Sequence, residues 1–178
     1  MANNHGFVNT THCTCWNVDA YKRVGIAQSD IDNGAFVTIG VIAADSNENI
    51  EGYQFAVTPA TAASTGVWLV RTPEVGTTLE MAMLSDPRHF YNVKGRPMSL
   101  CYLVAGVDCI EVDANCFADA EDLPTLTNPI VPLTTGGKLG TPTNSAPSTG
   151  AYLTYLGTKT TEIGAELVPT YVLQMSRN

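Results

Sequence analysis

A histidine and two cysteines lie close together near the start of the chain, in the stretch THCTCWN, residues 11–17. Imidazole nitrogen and thiolate sulfur are common zinc ligands, but a structural zinc site needs four ligands, usually from two close pairs. Cys13 and Cys15 form one such pair with His12 beside it, and the other cysteines are scattered: Cys101, Cys109 and Cys116. Two residues apart on a strand, Cys13 and Cys15 would face the same way. We therefore interpret them as buried or interfacial thiols and predict no metal and no cofactor.

Five cysteines are an odd number, which leaves at least one without an intramolecular disulfide. In a reducing cytoplasm, thiols that behave as small apolar groups are the default interpretation. An extracellular particle would allow some of them to oxidise later. The sequence leaves both redox states open.

Nucleophilic catalysis has one candidate constellation, formed by Cys101, His89 and Asp86. The chain contains no Gly-x-Ser-x-Gly motif, and its other histidines, His5 and His12, lie near the start. A catalytic triad is defined by mutual position rather than by closeness in sequence. We interpret His89 as a residue of a solvated loop and predict no catalytic residue.

Three pairs of acidic residues are candidates for the paired carboxylates of a glycosidase. They are Asp45/Glu48, Glu111/Asp113 and Glu121/Asp122. Asp45, Asn47 and Asn49 also resemble the start of a calcium-binding loop, but the glycine and the closing glutamate are out of register. We interpret all these acids as polar residues of turns.

Composition excludes several classes of function. The net charge of −8 and the scattered basic residues argue against a nucleic-acid surface, which needs clustered Lys and Arg. The longest apolar stretch, residues 35–44, is much shorter than the ~20 residues of a membrane-spanning helix. The first ten residues lack the features of a secretory signal, so we expect synthesis in a cytoplasm.

Short apolar segments separated by turn residues predict an all-β fold, a single sandwich or barrel. We predict strands in AFVTIGVIA, YQFAVTP, VWLVRTP, TTLEMAML, MSLCYLVAG, DCIEV, GAYLTYLG and LVPTYVLQMS. Residues 1–31 have no sustained period and are interpreted as an N-terminal arm, and residues 32–178 as the β-rich domain. A helical turn is expected near residues 118–123.

Prolines and aromatic residues add three expectations. Residues 119–150 are rich in Pro and Gly and form a long loop, or a hairpin in which a Gly136-Gly137 turn joins IVPLTT to KLGT. Pro169 cannot donate a ladder hydrogen bond, so the last strand should lie at an edge or begin beyond it. The aromatic residues at alternating positions, Tyr53 among them, are assigned to the core.

Several of these segments together resemble the head decoration (cement) proteins of tailed bacteriophages. The resemblance covers residues 32–178 and depends on three features: the Asn33-Gly34 turn before the first strand, Val67–Val70 followed by Pro73-Glu74-Val75, and the turn 94–97 leading into Leu100–Val104. The cysteine-rich arm and the proline-rich segment have no counterpart in it.

The resemblance implies a non-enzymatic virion protein, made in the bacterial cytoplasm and placed on the capsid exterior. Its partner would be the major capsid protein, whose subunits it would bridge, and it would self-associate as a trimer. The arm would add a strand to a neighbour's open sheet edge. Two alternatives remain: another virion component, such as a head-fibre base, tail protein or host-binding module, and a small hydrolase or metal-dependent enzyme.

Overall fold

The computed structural model describes residues 5–13, 19–44, 53–75, 86–163 and 166–178. Within them the protein is all-β, as predicted, with four single-turn 3-10 helices as its only helices. The nine strands are β1 Lys22–Ala27, β2 Phe36–Ile42, β3 Gln54–Pro59, β4 Trp68–Val70, β5 Pro97–Tyr102, β6 Cys109–Val112, β7 Ile130–Pro132, β8 Tyr152–Ile163 and β9 Glu166–Arg177. None of the described helices has the length and apolar character needed to cross a bilayer.

The first five strands form a closed barrel in the order β1-β3-β2-β4-β5. β1 pairs with β3 in parallel, and the other neighbours pair antiparallel, including β1 with β5, which closes the barrel. β1 was not predicted. Its first two residues, Lys22 and Arg23, are exposed and charged, so the segment shows no apolar alternation.

The last four strands form a second sheet in the order β6-β9-β8-β7. β8 and β9 are both twelve residues long and pair along their whole length as a hairpin, with register shifts at residues 152–153 and 155–157. This closing hairpin was predicted. β7 and β6 are much shorter, so they cover only the end of the hairpin that is near the barrel.

Alternating residues of the barrel strands point to two different cores. Val37, Val70 and Leu100 fill the barrel interior. Their chain neighbours Phe36, Leu69 and Cys101 point outward and pack with residues of the second sheet. Because successive side chains on a strand face opposite sides, β2, β4 and β5 are buried on both faces at these positions.

The expected arm, residues 1–31, contributes to the folded body wherever it is described. β1 is a barrel strand, and residues 5–9 lie along β6 in the second sheet. Val8 forms an antiparallel bridge with Val112 and is fully buried, while Phe7 is 9% exposed. Within the described residues, therefore, residues 7–9 pair with β6 of the same chain.

The hairpin predicted within residues 119–150 is confirmed. Thr134 N–H donates to the Lys138 carbonyl at 2.9 Å, and a bridge joins Leu133 to Leu139. Gly136 and Gly137 both have positive φ, and a side chain on Gly137 would collide with the backbone of Phe36 in β2. This glycine therefore lets the hairpin pack directly against the barrel.

The expectation for Pro169 holds only locally. β9 begins before the proline and lies between β6 and β8, so it is not an edge strand. Its last pair with β6 is Tyr171 with Val112, however, and Pro169 lies beyond it. No ladder donor is needed at that position.

Three other expectations have different outcomes. The strand predicted for TTLEMAML falls on residues outside the described ones. Residues 118–123 form turns, and the 3-10 helix lies just before them at Ala114–Cys116. Tyr53 is 71% exposed, so its assignment to the core is wrong: it lies just before β3, beyond the end of the barrel.

Candidate functional site

The structure does not gather the cysteines into a metal site. Cys13 is buried, Cys15 lies outside the described residues, and Cys101 is disulfide-bonded rather than a thiol. Cys116 is enclosed by the Phe7 and Asn33 carbonyls and the Asp113 carboxylate, and burial raises its pKa well above the usual thiol value. Among the described residues no group of three His, Cys, Asp or Glu side chains is arranged to hold a metal ion.

The constellation of Cys101, His89 and Asp86 is not a catalytic arrangement. The sulfur of Cys101 is in a disulfide, so it does not supply the thiolate that this chemistry needs. Asp86 instead caps a 3-10 helix, accepting hydrogen bonds from the Arg88 backbone at 2.9 Å and from its guanidinium at 2.5–3.0 Å. The guanidinium holds the pKa of Asp86 below its usual value.

The acidic residues Glu111 and Asp113 have a role that sequence reasoning missed. Asp113 accepts the Phe7 backbone N–H at 2.9 Å, and Glu111 lies 2.5 Å from the ring nitrogen Nδ1 of His12. Both carboxylates are 1% exposed. They therefore hold residues 5–13 on the second sheet, and they do not flank a substrate cleft.

Glu111 also fastens the β8–β9 hairpin. Its Oε1 accepts hydrogen bonds from the hydroxyls of Thr161 at 2.5 Å and Thr170 at 2.7 Å, and from the Asn9 amide at 3.3 Å. Burial alone would raise the pKa of Glu111, but the hydrogen bonds outweigh it and lower the pKa to about 2. A carboxylate that accepts several hydrogen bonds is stabilised in its charged form.

Of the other acidic candidates, the structure describes only Glu121 and Asp122. Asp119 accepts the Glu121 backbone N–H at 2.9 Å, which places Glu121 and Asp122 in an exposed turn as expected. Asp45, Asn47, Glu48 and Asn49 lie outside the described residues.

One face of the β8–β9 hairpin is exposed beyond the end of β6, and this part forms the best candidate interaction surface. Cross-strand pairing places Thr160 opposite Pro169 and Glu162 opposite Leu167 on this face. All four are exposed, and Leu167 has 74% of its surface in solvent. We call these four residues the ribbon face. The opposite face carries Thr161 and Thr170, which bind Glu111, so the ribbon face is displayed on a fixed support.

A second group of exposed apolar residues lies at the end of the β2–β3 pair. Val41 is 79% exposed, Ile42 51% and Tyr53 71%. Ile42 pairs across the strands with half-buried Phe55, so these exposed residues lie at one end of the β2–β3 pair. An exposed apolar group of this kind is a common feature of a contact surface.

Both surfaces exist because particular side chains of a strand are exposed to solvent. The sequence contains only one residue that indicated such exposure. Pro169 indicated that the last strand should lie at an edge or begin beyond the proline, and β9 is unpaired with β6 beside that residue. Nothing in the sequence marked Leu167 or Val41 as exposed.

Comparison with known proteins gives no match for this chain. No protein-family model, no curated protein and no solved structure is significantly similar to it.

Proposed function

We propose that the chain is a non-enzymatic head decoration protein of a tailed bacteriophage. It is made in the bacterial cytoplasm, binds the outer surface of the capsid and stabilises contacts between major capsid subunits. The sequence resemblance supplies the class of protein. The single structural observation that supports it is the ribbon face, an exposed surface held from behind by a buried carboxylate.

The fixed support favours binding to a preformed shell. A surface that is already ordered loses little conformational entropy when it binds, so more of the contact energy appears as affinity. Leu167 and Pro169 supply apolar area, while Thr160 supplies a hydroxyl that can exchange water for a partner's hydrogen bond. Side chains of this kind are suited to a protein–protein contact.

Self-association belongs to the same proposal. A trimer at a local threefold axis of the shell would present three ribbon faces at once. Linked contacts bind far more tightly than one contact alone, since the second and third become intramolecular. Closed symmetry of this kind is common among oligomers.

The test is co-sedimentation of the purified protein with undecorated capsids of the phage that encodes it. The wild-type chain should pellet with the capsids. Leu167→Asp, which would place an unpaired charge in the contact, should bind at least about tenfold more weakly. Leu126→Asp is the matched control, because Leu126 is 81% exposed and lies outside the ribbon face. It should bind like the wild type.

Two results would overturn the proposal in different ways. No co-sedimentation of the wild-type chain would exclude capsid decoration. Electron microscopy of labelled virions that shows label on the tail or at fibre tips would identify another virion component.

A further inference from the structure

Glu111 joins two parts of the molecule that are far apart in the sequence. Its Oε1 accepts hydrogen bonds from the hydroxyls of Thr161 at 2.5 Å and Thr170 at 2.7 Å, both on the β8–β9 hairpin. Its Oε2 lies 2.5 Å from Nδ1 of His12, and the side-chain nitrogen of Asn9 lies 3.3 Å from Oε1. One carboxylate therefore links the N-terminal segment to the hairpin.

The two threonines lie directly behind the ribbon face. Their chain neighbours belong to it: Thr160 and Glu162 flank Thr161 in β8, and Pro169 precedes Thr170 in β9. The ladder between β6 and β9 stops one residue short of Thr170. The bonds to the buried carboxylate therefore support the hairpin where the backbone of β6 does not.

The tip of the hairpin has its own supports. Ile163 is 1% exposed, and the Arg88 guanidinium lies 2.9 Å from the Glu166 carboxylate. The Glu166 side chain is 67% exposed, and an ion pair open to water contributes little to stability. Between this tip and the ladder, the ribbon face depends on the Glu111 carboxylate.

The N-terminal segment stands between this carboxylate and solvent. The side chain of Glu111 is 1% exposed, while that of His12 next to it is 52% exposed. Without the His12 donor, Oε2 would be a buried acceptor with no partner, or water would reach it. Water that binds the carboxylate competes with the threonine hydroxyls, whose hydrogen bonds are stronger where water is excluded. The docking of the segment therefore affects how firmly the hairpin is held.

We propose that Asn9 and His12 are positioning residues of the ribbon face, which they hold in its binding conformation through Glu111. The coupling is a property of the free chain, and only its effect on adhesion rests on the proposed function. Release of the N-terminal segment from β6 weakens adhesion. Coupling between two sites is reciprocal, so a partner bound to the ribbon face also tightens the segment.

The test is hydrogen exchange of the free protein, measured at the protected amides of residues 158–163 and 166–170. His12→Phe keeps a ring but removes the Nδ1 donor. These amides should then exchange at least about fivefold faster, the lower end of typical coupling between sites. His12→Asn should restore the wild-type rate, because its side-chain amide donates from nearly the same place as Nδ1.

His5→Phe is the matched control. Nδ1 of His5 lies 2.7 Å from Oδ1 of Asp32, and its ring lies against Tyr91. The change therefore loosens the same segment at its other end, away from Glu111, and should leave the exchange of the hairpin unchanged. The coupling is overturned if His12→Phe does not speed this exchange, if His5→Phe speeds it as much, or if His12→Asn does not restore it.

Co-sedimentation with undecorated capsids measures the effect on adhesion. His12→Phe should bind at least about fivefold more weakly than His5→Phe. A wild-type chain that does not bind capsids would end the proposed function, while the exchange rates would still decide the coupling. If the wild type binds and His12→Phe binds as tightly as His5→Phe, the control of adhesion by the N-terminal segment is overturned.

Discussion

Replacing Glu111 by Gln should destabilise the protein in a way that depends on pH. The glutamine keeps the shape of the side chain but removes the charge that accepts hydrogen bonds from Asn9, His12, Thr161 and Thr170. A pKa lowered from 4.5 to about 2 corresponds to at most ~3.5 kcal/mol, at about 1.4 kcal/mol per unit. Half-exposed His12 admits solvent to one side of the cluster, so we expect about 2 kcal/mol at pH 7.

The sign of the pH dependence follows from the direction of the shift. Glu111 has a lower pKa in the folded protein than in the unfolded chain, so its contribution is complete above the unfolded value. It is lost progressively as the pH falls from about 5 to about 2, because the wild-type carboxyl then becomes protonated and resembles the glutamine. The difference between the two proteins should shrink over this range.

Urea unfolding followed by tryptophan fluorescence measures this difference at several pH values between 7 and 3. Glu162→Gln is the control: it removes the same charge from an exposed position on the ribbon face and should change the free energy of unfolding by less than about 0.5 kcal/mol. A Glu111→Gln protein as stable as wild type at pH 7 would refute the reasoning. A difference that stays constant down to pH 3 would refute it equally.

Further predictions concern a glycine and the cysteines. Gly34→Ala should cost about 3 kcal/mol in thermal or urea unfolding, because φ is +84° there and the new Cβ would lie against the Cys116 sulfur. Gly66→Ala should cost only about 1 kcal/mol, since φ is +63° but nothing lies within 4 Å; equal costs would contradict the role of Cys116. In denaturant without reductant, a thiol assay should find the three thiols of Cys13, Cys109 and Cys116, and after reduction all five cysteines. Five thiols before reduction would contradict the disulfide at Cys101.

Much of the fold was predictable because it is local. Apolar segments bounded by turn residues indicated β2 and β9, alternating residues indicated β3, and the Gly136-Gly137 turn indicated the hairpin that contains β7. These features depend on neighbours in sequence. The proline at position 169 predicted an edge strand or a later start for the last strand, but β9 begins before it and lies between β6 and β8.

The role of residues 5–13 was not predictable in this way. Phe7 and Val8 are buried because Asp113 and Glu111, about a hundred residues away, receive hydrogen bonds from this segment. A pair of acids two residues apart is typical of catalytic sites and of turns alike. Only the tertiary fold shows that these carboxylates hold residues 5–13 against β6.

The double burial of β2, β4 and β5 has a consequence for how the molecule comes apart. At Phe36–Val37, Leu69–Val70 and Leu100–Cys101, one side chain packs in the barrel interior and its neighbour packs against the second sheet. A register shift of one residue in any of these strands would exchange Phe36 with Val37, or Leu69 with Val70. It would therefore disrupt the packing of the barrel interior and of the core under the second sheet at the same time. The two halves of the protein therefore melt together, and neither is expected to persist as a stable fragment after the other is cut away.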